Sequence, residues 1–100
     1  MKLKQVAKEY YSSHDYKNLR DETKAHYQYC LTNALATSVD GVVIGEVDVT
    51  KMSTKQAKLS YDLWCDRGIS TANHIMAVTR ILLNYAVRME HCNINPFATV

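Results

Sequence analysis

The sequence predicts a small, mostly helical domain, and three observations carry that expectation. Glycine (3) and proline (1) are too scarce among 100 residues to supply the turns of a loop-rich all-β chain. Apolar residues recur at three- and four-residue spacing along separate stretches, as they do on helices with one buried face. The balance of 47% hydrophobic to 22% charged residues is that of a globular chain, neither disordered nor fibrous. A chain of this size buries roughly 60–70% of its unfolded surface. That suffices for one modest core and leaves little for a deep substrate cleft.

Four helical segments are expected, with one extended connection. The first spans Leu3 to Tyr11, with Leu3, Val6, Ala7, Tyr10 and Tyr11 at helical spacing and Ser12, Ser13 and His14 breaking the pattern. The second opens near Asp21 as N-cap, with Glu22 in the positive first turn, and reaches about Thr37. Its buried stripe is Tyr27, Cys30, Leu31, Ala34 and Leu35, while Lys24, Gln28 and Thr32 lie on a polar side. From Ser38 to Met52 the β-branched Val42, Val43, Ile44, Val47 and Val49 disfavour helix. Asp40-Gly41 signals a turn there, and an extended connection packed on the helices is expected, with a short hairpin around Gly45 as its alternative form. The third helix opens with the Ser53/Gln56 capping pair and stops at Gly68. The fourth is the clearest: Ser70 or Thr71 caps it, and Ala72, Ile75, Met76, Thr79, Leu82, Leu83 and Ala86 form its core stripe. It runs to about Glu90, and Asn95-Pro96 reads as a chain exit.

Charge says little by its sum and more by its distribution. The net +2 and pI near 8.4 name no partner. Asp40, Glu46 and Asp48 form a base-free run, followed by the acid-free Lys51, Lys55 and Lys58. On the polar side of the fourth helix, Asn73, Ala77, Arg80, Asn84 and Arg88 share one face with two arginines, two amides and no acid. Arginine forks onto phosphate or guanine, asparagine pairs with adenine, and alanine lets a helix approach DNA closely.

Cys30, Cys65 and Cys92 are odd in number, far apart and without a C-x-x-C, so three reduced thiols in a cytoplasmic protein are expected rather than a disulfide framework. No apolar run reaches the roughly 18 residues of a membrane span, and no signal-peptide core is present. His26 and Cys30, four apart on a helix, could face one metal ion, but His91 and Cys92 would diverge, and a structural zinc site takes four ligands. No metal or other cofactor is expected. No G-x-S-x-G, H-E-x-x-H, phosphate-binding glycine loop or paired apolar carboxylates occur. Tyr10, Tyr27, Tyr61 and Tyr85 fall at or near core positions, where the ring packs and the hydroxyl reaches water.

Three motifs together resemble the core-binding domain of phage integrases, the SAM-like N-terminal DNA-binding domain of the tyrosine recombinases. Leu19-Arg-Asp-Glu-Thr23, followed by Tyr27 and Leu31, is similar to that family's L-x-x-x-T-x-x-x-Y-x-x-x-L. Val49-Thr50 ahead of a helix closing at Asp66-Arg67-Gly68 is similar to its "l-T … R-G" unit. The run from Ile69 to Arg88, ending in Asn95-Pro96, is similar to its T-x-N-R … A … N-P helix and exit. Two departures stand out: residues 89–92 read Met-Glu-His-Cys where the family commonly has a glycine turn, and His74 stands where arginine or lysine is common.

The resemblance implies an all-α fold, a four-helix orthogonal bundle of SAM-like type with an extended linker between its second and third helices. It implies a core-binding domain over 1–96 and, over 97–100, the start of a linker to a catalytic domain that the sequence does not contain. It further implies double-stranded DNA as partner, met near the strand-exchange site by the second and fourth helices, and other recombinase subunits assembled on that DNA. Carried over by position, the DNA-binding residues are Thr23, Lys24, His26 and Gln28 on the second helix and Thr71, Asn73, His74, Ala77 and Arg80 on the fourth. Asn84 and Arg88 join them from the face read above. No H-x-x-R motif follows any of His14, His26, His74 or His91, so the chain by itself is expected to be non-catalytic, with no small-molecule substrate and no membrane. Another reading of the same helices is a protein-protein interaction module without DNA binding. A small standalone enzyme would need a pocket gathering histidine and carboxylate.

Overall fold

The computed structural model describes residues 1–99, within which everything is organised around one long helix. Helix α5 runs from Ile69 to Arg88 and buries Ala72, Ile75, Met76, Val78, Thr79, Leu82, Leu83, Tyr85 and Ala86. All seven residues of its expected stripe are therefore inside, each large apolar one contributing roughly 1.5–3 kcal/mol of burial. Helices α3 (Asp21–Ala36) and α4 (Thr54–Cys65) pack along α5, and α1 (Leu3–Tyr11) also contacts it. No helix among the described residues is long and apolar enough to cross a membrane.

The chain is mostly helical, yet two expectations are corrected. Among the described residues there are five α-helices rather than four: a single turn, α2 (His14–Lys17), lies where Ser12, Ser13 and His14 suggested a break. Ser13 is its N-cap, accepting from the Tyr16 amide at 3.3 Å, and the turn drives Tyr16 into the core. The fold is also not strictly all-α. β1 (Ser38–Val39) and β2 (Val42–Val43) pair antiparallel, Ser38 with Val43 and Val39 with Val42. The hairpin turns at Asp40-Gly41, not around Gly45. Both turn residues have positive φ (52° and 80°), the geometry a two-residue hairpin of this twist needs. Gly45 instead sits in the 3-10 turn Ile44–Glu46, pressed so close to α3 that a Cβ would lie 2.7 Å from the Leu35 carbonyl oxygen.

The rest of the linker is stitched to the N-terminal segment. The Leu3 amide donates to the Val47 carbonyl (3.0 Å) and the Val49 amide to that of Met1 (2.9 Å). Lys2 and Lys4 both bind Glu46, at 3.1 and 2.7 Å, holding its carboxyl below the usual range. Thr50 donates twice to Asp48, whose carboxyl falls to about 2 with further help from the terminal ammonium. Glu46 and Asp48 of the base-free run thus meet their counter-charges on the N-terminal segment, while Asp40 enters no ion pair among the described residues.

Helix ends follow local chemistry. The Ser53/Gln56 capping box forms at α4. Arg20, not Asp21, is the N-cap of α3, with Asp21 and Glu22 both in the first turn. Neither Ser70 nor Thr71 caps α5. That helix begins directly after Gly68, whose φ of 110° lets the backbone turn from α4 into α5 without a side-chain cap. At its other end α5 stops at Arg88, and the Glu90 amide donates to Val87 (3.0 Å) while that of His91 donates to Ala86 (2.9 Å). This is a Schellman closure with Glu90 in the left-handed position usually taken by glycine, φ 64°.

The packed domain continues past Pro96. Phe97, the first residue of the expected linker, is fully buried and stacks on Trp64. Val100, the last residue of that linker, lies outside the described residues.

Four tyrosines pack edge to face where α1, α2 and α5 meet. Tyr10 lies 5.6 Å from Tyr16 and 5.3 Å from Tyr85, and Tyr11 4.9 Å from Tyr16, centroid to centroid. Burial first, then the neighbouring Tyr27, Asp15 and Tyr16, push the Tyr10 phenol up to about 12. Burial raises Tyr11 and Tyr85 as well. An unfolded phenol ionises near 10. The neutral form favoured by the fold therefore contributes stability that is complete below pH 10 and lost as pH rises from about 10 to 12. In an alkaline titration the Tyr10 phenolate should appear together with loss of helical circular dichroism; its appearance near pH 10 in a folded protein would contradict the packing.

Candidate nucleic-acid interface

The two helices expected to meet DNA lie side by side. The His26 ring of α3 meets His74 of α5 edge-on, centroids 5.2 Å apart, and Arg67, in the turn between α4 and α5, reaches back to α3, donating to Asn33 and to the Tyr29 hydroxyl (3.1 Å). These contacts run the helices in opposite directions. They also form a surface in which His26, Tyr29, Arg67, His74 and Ala77 are all exposed. Nothing acidic occurs anywhere in α5.

The α3 candidates divide between two flanks, because successive residues rotate by about 100°. His26 faces α5, and its Nε2 also lies 3.7 Å from Cys30 Sγ. Lys24 and Gln28 face α2: the Lys24 ammonium lies over the Tyr16 ring at 6.0 Å, and Gln28 Nε2 donates to the Tyr16 hydroxyl at 2.9 Å. That hydroxyl donates in turn to the Lys24 carbonyl (3.3 Å). Thr23 is half-buried between these flanks.

On α5 the five-residue face is present, with most of its polar groups engaged inside the protein. Asn73 accepts from the Tyr61 hydroxyl of α4 (2.7 Å). Arg80 is half-buried and donates from Nε to the Phe97 carbonyl (2.8 Å). Asn84 accepts from Asn95 Nδ2 (2.8 Å), which also donates to the Arg80 carbonyl (3.1 Å). Arg88 lies 5.7 Å over the Tyr85 ring and forms an ion pair with Asp15. The face is therefore acid-free on its own helix, but α2 brings a carboxylate to its far end. Thr71 is half-buried, while His74, next to Ala77, points out from the strip.

The sequence reading passed over Tyr29, Asn33 and, as a surface group, Arg67. A signal was available for the first two: with His26 they fall at three- and four-residue spacing on the same flank of α3. Cys30, Cys65 and Cys92 are free thiols, with burial raising the Cys30 and Cys92 thiols. Among the described residues no group of three or more histidine, cysteine, aspartate or glutamate side chains could hold a metal ion. No protein-family model matches the chain, and no curated protein or solved structure is significantly similar to it.

Proposed function

We propose that this chain binds duplex DNA through the α3–α5 surface, as a SAM-like core-binding domain of a tyrosine recombinase would. One observation carries the reading: α3 and α5 pack together, with His26 and His74 in contact, beside an α5 that bears no acid along its whole length. Exposed Ala77 allows close approach, Asn73 and His74 supply donors beside it, and Arg67 and Tyr29 supply more where α3 meets the start of α5, for phosphate oxygens or base edges. In this reading the domain holds DNA in the cytoplasm, alongside other recombinase subunits, while a separate domain does the cutting and rejoining; this chain has no catalytic role of its own. Few cations contribute, so binding is weak, salt-sensitive and limited in sequence preference.

The test is a titration of labelled duplex DNA at low salt, repeated as salt rises, with amide shifts recorded by NMR. Expected are a linear fall of log affinity with log salt and shifts on the His26 flank of α3 and from Asn73 to Ala77 of α5. Absence of binding at low salt, or shifts confined to α1 and α4, would overturn the reading.

A further inference from the structure

The far side of α4 carries a different surface. Ala57, Ser60 and Trp64 face the core, and Tyr61 leans toward Asn73 of α5. Leu59, Asp62, Leu63 and Asp66 point the other way and, with Ser38, Val39 and Asp40 of the hairpin, line an open groove of about 420 Å³. Leu63 is 45% exposed. Val42 is 42% exposed and pairs with Val39 across the hairpin, so both side chains stand on the same sheet face. Three carboxylates, Asp40, Asp62 and Asp66, rim the groove. No ion pair among the described residues involves any of them, unlike Glu46 and Asp48 of the neighbouring linker.

We propose that this groove docks a cationic amphipathic helix of a protein partner. Charge complementarity decides the partner's sign: an apolar floor with a three-carboxylate rim and no cation among its lining residues selects lysine or arginine beside leucine-like anchors, and it repels nucleic acid. Geometry decides its form. Leu59 and Leu63 are one helical turn apart, the spacing that meets the ridge of a second helix. The hairpin strands are two residues each, too short to template an added strand. The groove lies on α4 and the hairpin and the DNA-facing surface on α3 and α5, so the two inferences stand independently.

The probe is a labelled synthetic peptide with leucines along one helical face and lysines elsewhere, titrated onto the intact chain. Expected are saturable binding, amide shifts centred on Val39, Leu59 and Leu63, and at least tenfold weaker binding in the D62K/D66K variant, whose changes are both on exposed residues. Leu63→Ser should weaken binding as well, with helical circular dichroism unchanged. The proposal is overturned by no binding, by equal binding of a leucine–glutamate peptide, by equal binding of a scrambled leucine–lysine peptide without a leucine face, or by undiminished affinity in D62K/D66K.

Discussion

Replacing Phe97 with alanine is expected to lower the free energy of unfolding by roughly 3–5 kcal/mol, the range for truncating a fully buried aromatic residue. Phe97 has no exposed surface, and its ring lies nearly parallel to Trp64, centroids 6.2 Å apart and planes 11° from one another. Backbone and side-chain contacts fix it there. Its amide donates to Asn95 Oδ1 (2.9 Å), its carbonyl accepts from Arg80 Nε (2.8 Å), and Asn95 is itself bound to the Arg80 carbonyl and to Asn84. Asn95-Pro96-Phe97 is thus a strap that crosses α5 and plugs the core beside α4. Domains of this kind have total stabilities of only about 5–15 kcal/mol, so the substitution removes a large share. In urea unfolding the midpoint should fall with the slope preserved. A loss under about 1 kcal/mol, small against the range for buried aromatic truncation, would mean that the strap is not closed in solution.

That strap shows where local sequence pattern ends. Asn95-Pro96 was legible as a stop because proline cannot extend a helix. Its return onto α5 was not, since the contacts of Asn95 with Asn84 and of Arg80 with Phe97 join residues that no local spacing links. The core stripe of α5 was largely legible, because twenty residues repeat the three-four spacing often enough to define a face, although buried Val78 and Tyr85 at its margins were left out of it. α2 was not, because four residues cannot show a period; only Ser13 ahead of Tyr16 marks it. The start of α5 escaped because its cap is a backbone conformation at Gly68 rather than a side chain. The candidate surface was half legible. Helical rotation alone places His26 away from Lys24 and Gln28, but the partners that occupy Arg88 and Arg67 come from α2 and α3, distant in sequence.

Ala77→Glu should weaken duplex binding at low salt by roughly ten- to a hundredfold, equivalent to about 1–3 kcal/mol. Ala77 is exposed at the middle of the acid-free strip, between Asn73 and the Arg80–Asn84 turn, where a docked duplex would come nearest the backbone. A carboxylate there meets phosphates directly, and the loss should shrink as added salt screens it. Glutamate is a good helix former, so unfolding stability should hardly change. This makes Ala77 a cleaner probe than Arg80. Removing the Arg80 guanidinium also releases the Phe97 carbonyl, so Arg80→Ala would lower stability and affinity together and leave the two inseparable. Ala77→Lys supplies the opposite sign on the same site and should tighten binding several-fold, raising the salt slope by about one. If both Ala77 variants bind duplex DNA as the parent chain does, the exposed strip of α5 does not face the nucleic acid, and the contact must be made from another helix.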